Sequence, residues 1–160
     1  NGQSETRCAA MSWNRTGSTL MQSSGEFRLT EPLSTALVEA ALRGDKSGVF
    51  RLIGQGSWVE QRDASGYTAL LRAAGQGDVA NVKRLLKVGA DCEARNLHGN
   101  TALMLAAEKN RYHVIEALLA AHADPRATNY CGKTALGISR AKGSVDAAKR
   151  LLAAGAGTPV

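Results

Sequence analysis

The chain has 160 residues, of which 44% are hydrophobic, 21% charged and only 4% aromatic, with a formal net charge of +6. That length makes one ordinary domain, or one domain with a tail, and a core poor in rings suits closely packed short helices better than a β-sandwich. No stretch approaches the roughly 18 uninterrupted apolar residues of a membrane-spanning helix.

Residues 1–30, "NGQSETRCAAMSWNRTGSTLMQSSGEFRLT", are rich in Ser, Thr and Gly and carry no sustained apolar period. This predicts a flexible or disordered N-terminal tail, with Trp13, Leu20, Met21 and Phe27 as its candidates for a local docking contact. Asn14-Arg15-Thr16 matches a glycosylation sequon, but no signal-peptide core opens the chain, so the match is read as accidental. The start at Asn1 rather than Met leaves room for an upstream segment. Cys8, Cys92 and Cys131 are odd in number and widely spaced. They form neither a disulfide framework nor a metal knuckle and read as reduced thiols of an intracellular protein, cytoplasmic or nuclear. Lys and Arg are interleaved with Asp and Glu, so the charge is diffuse along the chain.

From Glu31 a pattern takes over. The strings "STALVEAALRGD", "GYTALLRAAGQG", "GNTALMLAAEKN" and "GKTALGISRAKG" place Thr35, Thr68, Thr101 and Thr134 at a fixed interval of 33 residues. Each threonine predicts a helix N-cap, and the glycine two residues before Thr68, Thr101 and Thr134 suits a tight turn with positive φ. A short helix follows, then a break at Gly44-Asp45, Gly77-Asp78, Asn110-Arg111 or Gly143-Ser144. The second helix carries an apolar pair, Leu52-Ile53, Leu85-Leu86, Leu118-Leu119 or Leu151-Leu152, preceded on the same face by Val49, Val82, Ile115 or Ala148. Helices of roughly 8 to 10 residues are not stable alone in water and must stack to bury their apolar faces.

The turn–helix–helix unit, its 33-residue period, the "G-x-TAL…AA…G" opening and the "LL…GAD" ending together resemble the ankyrin repeat family. The resemblance implies an all-α ankyrin-repeat solenoid of helix-turn-helix units with β-turn tips. Its repeat domain spans 31–160, with repeats at about 31–62, 63–95, 96–128 and 129–157, behind the flexible tail. The family's Thr-Pro-Leu-His opening is here Thr-Ala-Leu followed by Val38, Leu71, Met104 or Gly137, which removes a side-chain hydrogen bond from the turn. In the fourth unit Ser139-Arg140 replaces the Ala-Ala pair of Ala40-Ala41, Ala73-Ala74 and Ala106-Ala107, which predicts a polar cap that ends the array. Similar proteins are often hydroxylated on an asparagine just after "GAD". The matching positions here are Glu60, Glu93 and Arg126, so the resemblance implies no such modification.

No residue pattern points to catalysis, since no nucleophile elbow, HExxH or phosphate loop is present. His122-Ala-Asp124 has the look of a metal-ligand pair, yet His122 stands where Gly89 and Gly155 stand and is read as a helix C-cap. Neither metal nor cofactor is expected. The resemblance implies that the freely varying positions, on the turn tips and first helices, line a concave face that grips a partner protein. These are Ala64, Ser65, Tyr67, Leu97, His98, Asn100, Tyr130, Cys131 and Lys133 on the tips, and Arg43, Gln76, Lys109 and Lys142 on the helices. Their mix of tyrosine, leucine, histidine and cations has the character of a protein-binding surface. Lys83, Arg84, Lys87, Lys149 and Arg150 make a basic stripe on the second helices, but without interleaved aromatics it argues against nucleic acid. The expectation is a monomeric, non-enzymatic interaction module or adaptor. Two alternatives stand beside it: a regulatory or targeting part of a larger enzyme or membrane protein, and a binder of anionic surfaces or nucleic acid.

Overall fold

The computed structural model describes residues 35–156. The predicted tail, with Cys8, the Asn14 sequon and its four apolar residues, lies outside the described residues. Among the described residues eight helices follow one another in four pairs, and no strand forms. The pairs are α1 (35–43) with α2 (Lys46–Gly54), α3 (Ala69–Gln76) with α4 (Val79–Lys87), α5 (Ala102–Glu108) with α6 (Tyr112–Ala120), and α7 (Ala135–Lys142) with α8 (Val145–Ala153).

Three of the four helix starts are capped as the threonine spacing predicts, whereas Thr35 lies inside α1 rather than before it. The hydroxyls of Thr68, Thr101 and Thr134 accept hydrogen bonds from the N–H groups of Leu71 (3.3 Å), Met104 (3.4 Å) and Gly137 (3.1 Å). Each satisfies one donor that the first turn leaves without an intrahelical partner. Asp45 and Asp78 do the same for α2 and α4, accepting from Gly48 and Asn81. Between paired helices the chain reverses through a left-handed residue, Gly44, Gly77, Asn110 or Gly143. Asn110 at φ 56° takes the reversal without glycine, and His122 at φ 67° does so after α6. Both are residue types that enter this region at modest expense, so His122, one residue past the C-cap Ala121, takes the left-handed place that its alignment with Gly89 and Gly155 predicted.

The first helices α3, α5 and α7 stack on one another, and α2, α4, α6 and α8 form a second row behind them. The core lies between the rows. Leu37, Leu70, Leu103 and Leu136 enter it from one side, and Val49, Val82, Ile115, Leu52, Leu85, Leu118 and Leu151 from the other. Burying one such side chain contributes about 1.5–3 kcal/mol, and for helices of 7 to 9 residues that burial is the main stabilising term. Ala41, Ala74 and Ala107 are fully buried and small enough to let first helices approach one another.

The apolar pairs divide unequally. Leu52, Leu85, Leu118 and Leu151 are buried, whereas Ile53, Leu86 and Leu119 are half-buried and Leu152 is exposed. Neighbouring residues on a helix point about 100° apart, so only the first of each pair continues the line of Val49, Val82 and Ile115 into the core. At the far end of the stack Ser139 is buried, its hydroxyl donating to the Leu136 carbonyl (2.8 Å), while Arg140 is exposed at the position where the other pairs bury alanine.

Candidate partner-binding face

Each turn tip is organised by one side-chain oxygen. The Asp63 carboxylate accepts from the N–H groups of Ser65 and Tyr67 (both 2.9 Å), and the Asn96 amide oxygen from His98 (2.9 Å) and Asn100 (3.0 Å). The Asn129 amide oxygen accepts from Cys131 and Lys133 (both 2.9 Å). The backbone closes the same loop, since the N–H groups of Gly66, Gly99 and Gly132 donate to the carbonyls of residues 63, 96 and 129. Asp and Asn suit this place because their short side chains imitate a backbone turn. Tips ordered in this way lose little conformational freedom when a partner binds.

Two further devices lock each tip to the next. The Arg62 guanidinium donates to the Gly66 carbonyl (3.0 Å) and to the Arg95 carbonyl, and Arg95 donates to the carbonyls of Gly99 (3.2 Å) and Thr128 (2.6 Å). The Glu60 and Glu93 carboxylates accept from the N–H groups of Asp91 and Asp124, each at 2.8 Å. Sequence reasoning passed over these roles. The signal was nonetheless present, because Arg62 and Arg95, like Glu60 and Glu93, recur at the 33-residue period.

The expected site residues fall into two rows, one on the turn tips and one at the C-terminal ends of the first helices beside the inter-helix turns. On the tips Ser65, His98, Cys131 and Lys133 are exposed, and the large apolar side chains of Leu97 and Tyr130 are 66% and 73% exposed. Each of those two leans on the glycine of the preceding tip. A Cβ built on Gly66 would stand 2.9 Å from Leu97 Cγ, and one on Gly99 2.6 Å from Tyr130 Cδ1. On the first helices Arg43 pairs with Glu39 (2.7 Å), Gln76 donates to the Leu42 carbonyl (2.9 Å) and Lys142 pairs with Glu108 (3.3 Å). Lys109 is exposed beside them.

Two expected residues do not project freely. Tyr67 is half-buried against the core with the Arg72 guanidinium 3.9 Å above its ring, and Arg72 in turn donates to Asp63 (2.9 Å). This contact joins a tip to the first helix that follows it. Asn100 is half-buried and its amide oxygen accepts from the Asn129 side chain (2.8 Å). One repeat earlier the equivalent acceptor position is Tyr67, and there the side-chain N–H₂ of Asn96 is buried with no hydrogen-bond partner.

The electrostatics of the first tip give a testable pH dependence. Partial burial pushes the Asp63 carboxyl up, but hydrogen bonds from Tyr67, Arg72 and Ser65, with the charge of Arg72, outweigh it and hold the group below its ordinary value of 3.8. A carboxyl lowered in the folded state contributes its full stability above the unfolded value and loses it as pH falls through the folded one. Wild type is therefore expected to lose stability more steeply below about pH 4 than Asp63→Asn, which keeps the turn acceptor. Urea midpoints at pH 5 and pH 3 measure this, and parallel losses in both proteins would refute it. Burial, with the nearby Glu93 and Asp91 charges, pushes the Cys92 thiol up, which keeps it in the unreactive thiol form. Among the described residues no three His, Cys, Asp or Glu side chains converge as metal ligands would, and no helix is long and apolar enough to cross a membrane.

A family model of ankyrin repeats, in three copies, matches residues 37–129. No curated protein sequence matches the chain.

Proposed function

Because this chain belongs to the ankyrin repeat family, whose repeats are generally protein–protein interaction modules, we propose that it is a non-catalytic adaptor gripping a partner protein with its tips and first helices. The observation that carries this reading is the exposure of Leu97 and Tyr130 on a rigid frame. Leu97 and Tyr130 line one groove together with Arg62 and Arg95, so their apolar surface is not scattered singly, and tyrosine is favoured at interface hot spots. We count the fourth helix pair as a further repeat of the same stack, since Gly132, Thr134 and the apolar line of α8 repeat the earlier units. The free thiols of Cys92 and Cys131 suit a reducing, intracellular setting.

Affinity capture tests the site with Leu97→Ala/Tyr130→Ala/Lys133→Ala, which spares Tyr67 because its ring packs against the core. The triple variant is expected to keep the circular dichroism spectrum and the unfolding midpoint of the wild type. Its affinity for the captured partner should fall by about 100-fold, two hot-spot truncations being worth roughly 1–2 kcal/mol each. A partner held equally by both proteins would move the interface off the tips.

A further inference from the structure

The net charge looks diffuse along the sequence, but folding gathers part of it. Arg43 and Gln76 of the proposed face also line a groove of about 780 Å³ between the first two inter-helix turns, with Lys46, Asp78 and Lys83. Three cations therefore surround this groove against one carboxylate. Asp78 keeps its charge while both its oxygens accept from Asn81, one from its backbone N–H (3.2 Å) and one from its side chain (2.9 Å). Lys46 and Lys83 are exposed and make no ion pair among the described residues, and exposed Lys109 on the next first helix is likewise without one. The remaining wall is Gly44, Gly77, Val79 and Ala80.

We propose that this groove takes a carboxylate-rich segment of the partner polypeptide, laid from Lys46 and Lys83 past Arg43 and Gln76 towards Lys109. This rests on the reading of the tips and first helices as the partner face. Charge complementarity carries it. An acidic segment would meet Lys46 and Lys83, which lack counterions among the described residues, beside Arg43 in its pair with Glu39, and such arrangements raise association rates and select partners. A polypeptide fits better than a single-stranded nucleic acid, because among the described residues no aromatic side chain lines the groove to stack a base.

The test uses a fluorescein-labelled deca-glutamate peptide and anisotropy at 50 mM NaCl, with an oligothymidine of similar charge alongside. Lys46→Glu/Lys83→Glu is compared with Lys87→Glu/Lys149→Glu, which changes net charge equally at exposed positions outside the groove. The groove variant is expected to bind the peptide at least tenfold more weakly, and the control less than threefold. Equal weakening by both variants would make the attraction a matter of net charge and overturn the proposal. It would fall too if the wild type did not bind the peptide, or if the oligonucleotide bound more tightly and was lost in the groove variant. None of these outcomes touches the tip residues, so the Leu97/Tyr130/Lys133 capture experiment separates failure of the groove from failure of the partner face.

Discussion

Gly99→Ala is expected to lower the unfolding free energy by about 3 kcal/mol, while Gly132→Ala, in the same turn one repeat later, lowers it by about 1 kcal/mol. The two glycines share nearly the same backbone, with φ 77° and 73°, so the penalty for a left-handed alanine is common to both. Their surroundings differ. A Cβ on Gly99 would meet Tyr130 Cδ1 at 2.6 Å and the Tyr130 backbone nitrogen at 2.8 Å, whereas, its chain neighbours aside, none of the described residues lies within 4 Å of one on Gly132. The ring can swing aside, but the backbone nitrogen cannot, because Tyr130 N–H is tied to the His98 carbonyl (3.3 Å) and Arg95 is tied to Thr128 two residues earlier. The excess of the Gly99 variant over the Gly132 variant therefore measures how firmly one tip is seated on the next. Urea unfolding followed by circular dichroism gives both values, and equal losses would mean that the tips stand independently. The Gly99 variant should also weaken partner binding, since it moves Tyr130 without deleting it.

How much of this was legible beforehand follows from what repeats. The period, three of the four threonine caps, the left-handed glycines and the left-handed His122 are local features, and each is present in the structure as geometry. Features that join one repeat to the next were visible only as unexplained recurrence, as with Glu60 and Glu93, whose hydrogen bonds reach 31 residues along the chain. Features that depend on a difference between repeats were not legible at all. Tyr67 aligns with Asn100 and Lys133, and nothing in the string says that Arg72 will lie over its ring while Asn96 loses its hydrogen-bond partner beneath it. The Leu pairs show the same limit at the scale of one helix, because two adjacent leucines have the same chemistry until the rotation between them is fixed. The charge is the clearest case. Arg43, Lys46 and Lys83 come from two repeats with acids between them in sequence, and only the fold shows Glu60 and Asp63 turned to the tips while Asp78 lines the groove.

Ala107→Arg should be the most damaging single substitution, with an expected loss of about 4 kcal/mol or more, because it forces a long cation into a filled and water-free contact. Ala107 is fully buried in α5, where α3 packs on one side and α7 on the other. Arg140 holds the corresponding place in α7 and is exposed. The same residue type is thus harmless at one level of the stack and ruinous one level below, and the difference is whether another helix lies over it. In a quasi-one-dimensional array such damage stays local. The variant should unfold in two steps, α7 and α8 separating first while the α1–α4 half keeps a transition near its own midpoint. Arg140→Ala is the converse. It should change stability by no more than about 0.5 kcal/mol, as exposed surface substitutions do, but it gives the end of the stack the apolar character that Ala107 shows to α7. Sedimentation should then detect self-association that the wild type lacks, since a polar outer face is what keeps the end of a repeat array soluble. A tolerated Ala107→Arg, or an Arg140→Ala chain no more prone to associate than its parent, would mean that the stack does not end where the arginine stands.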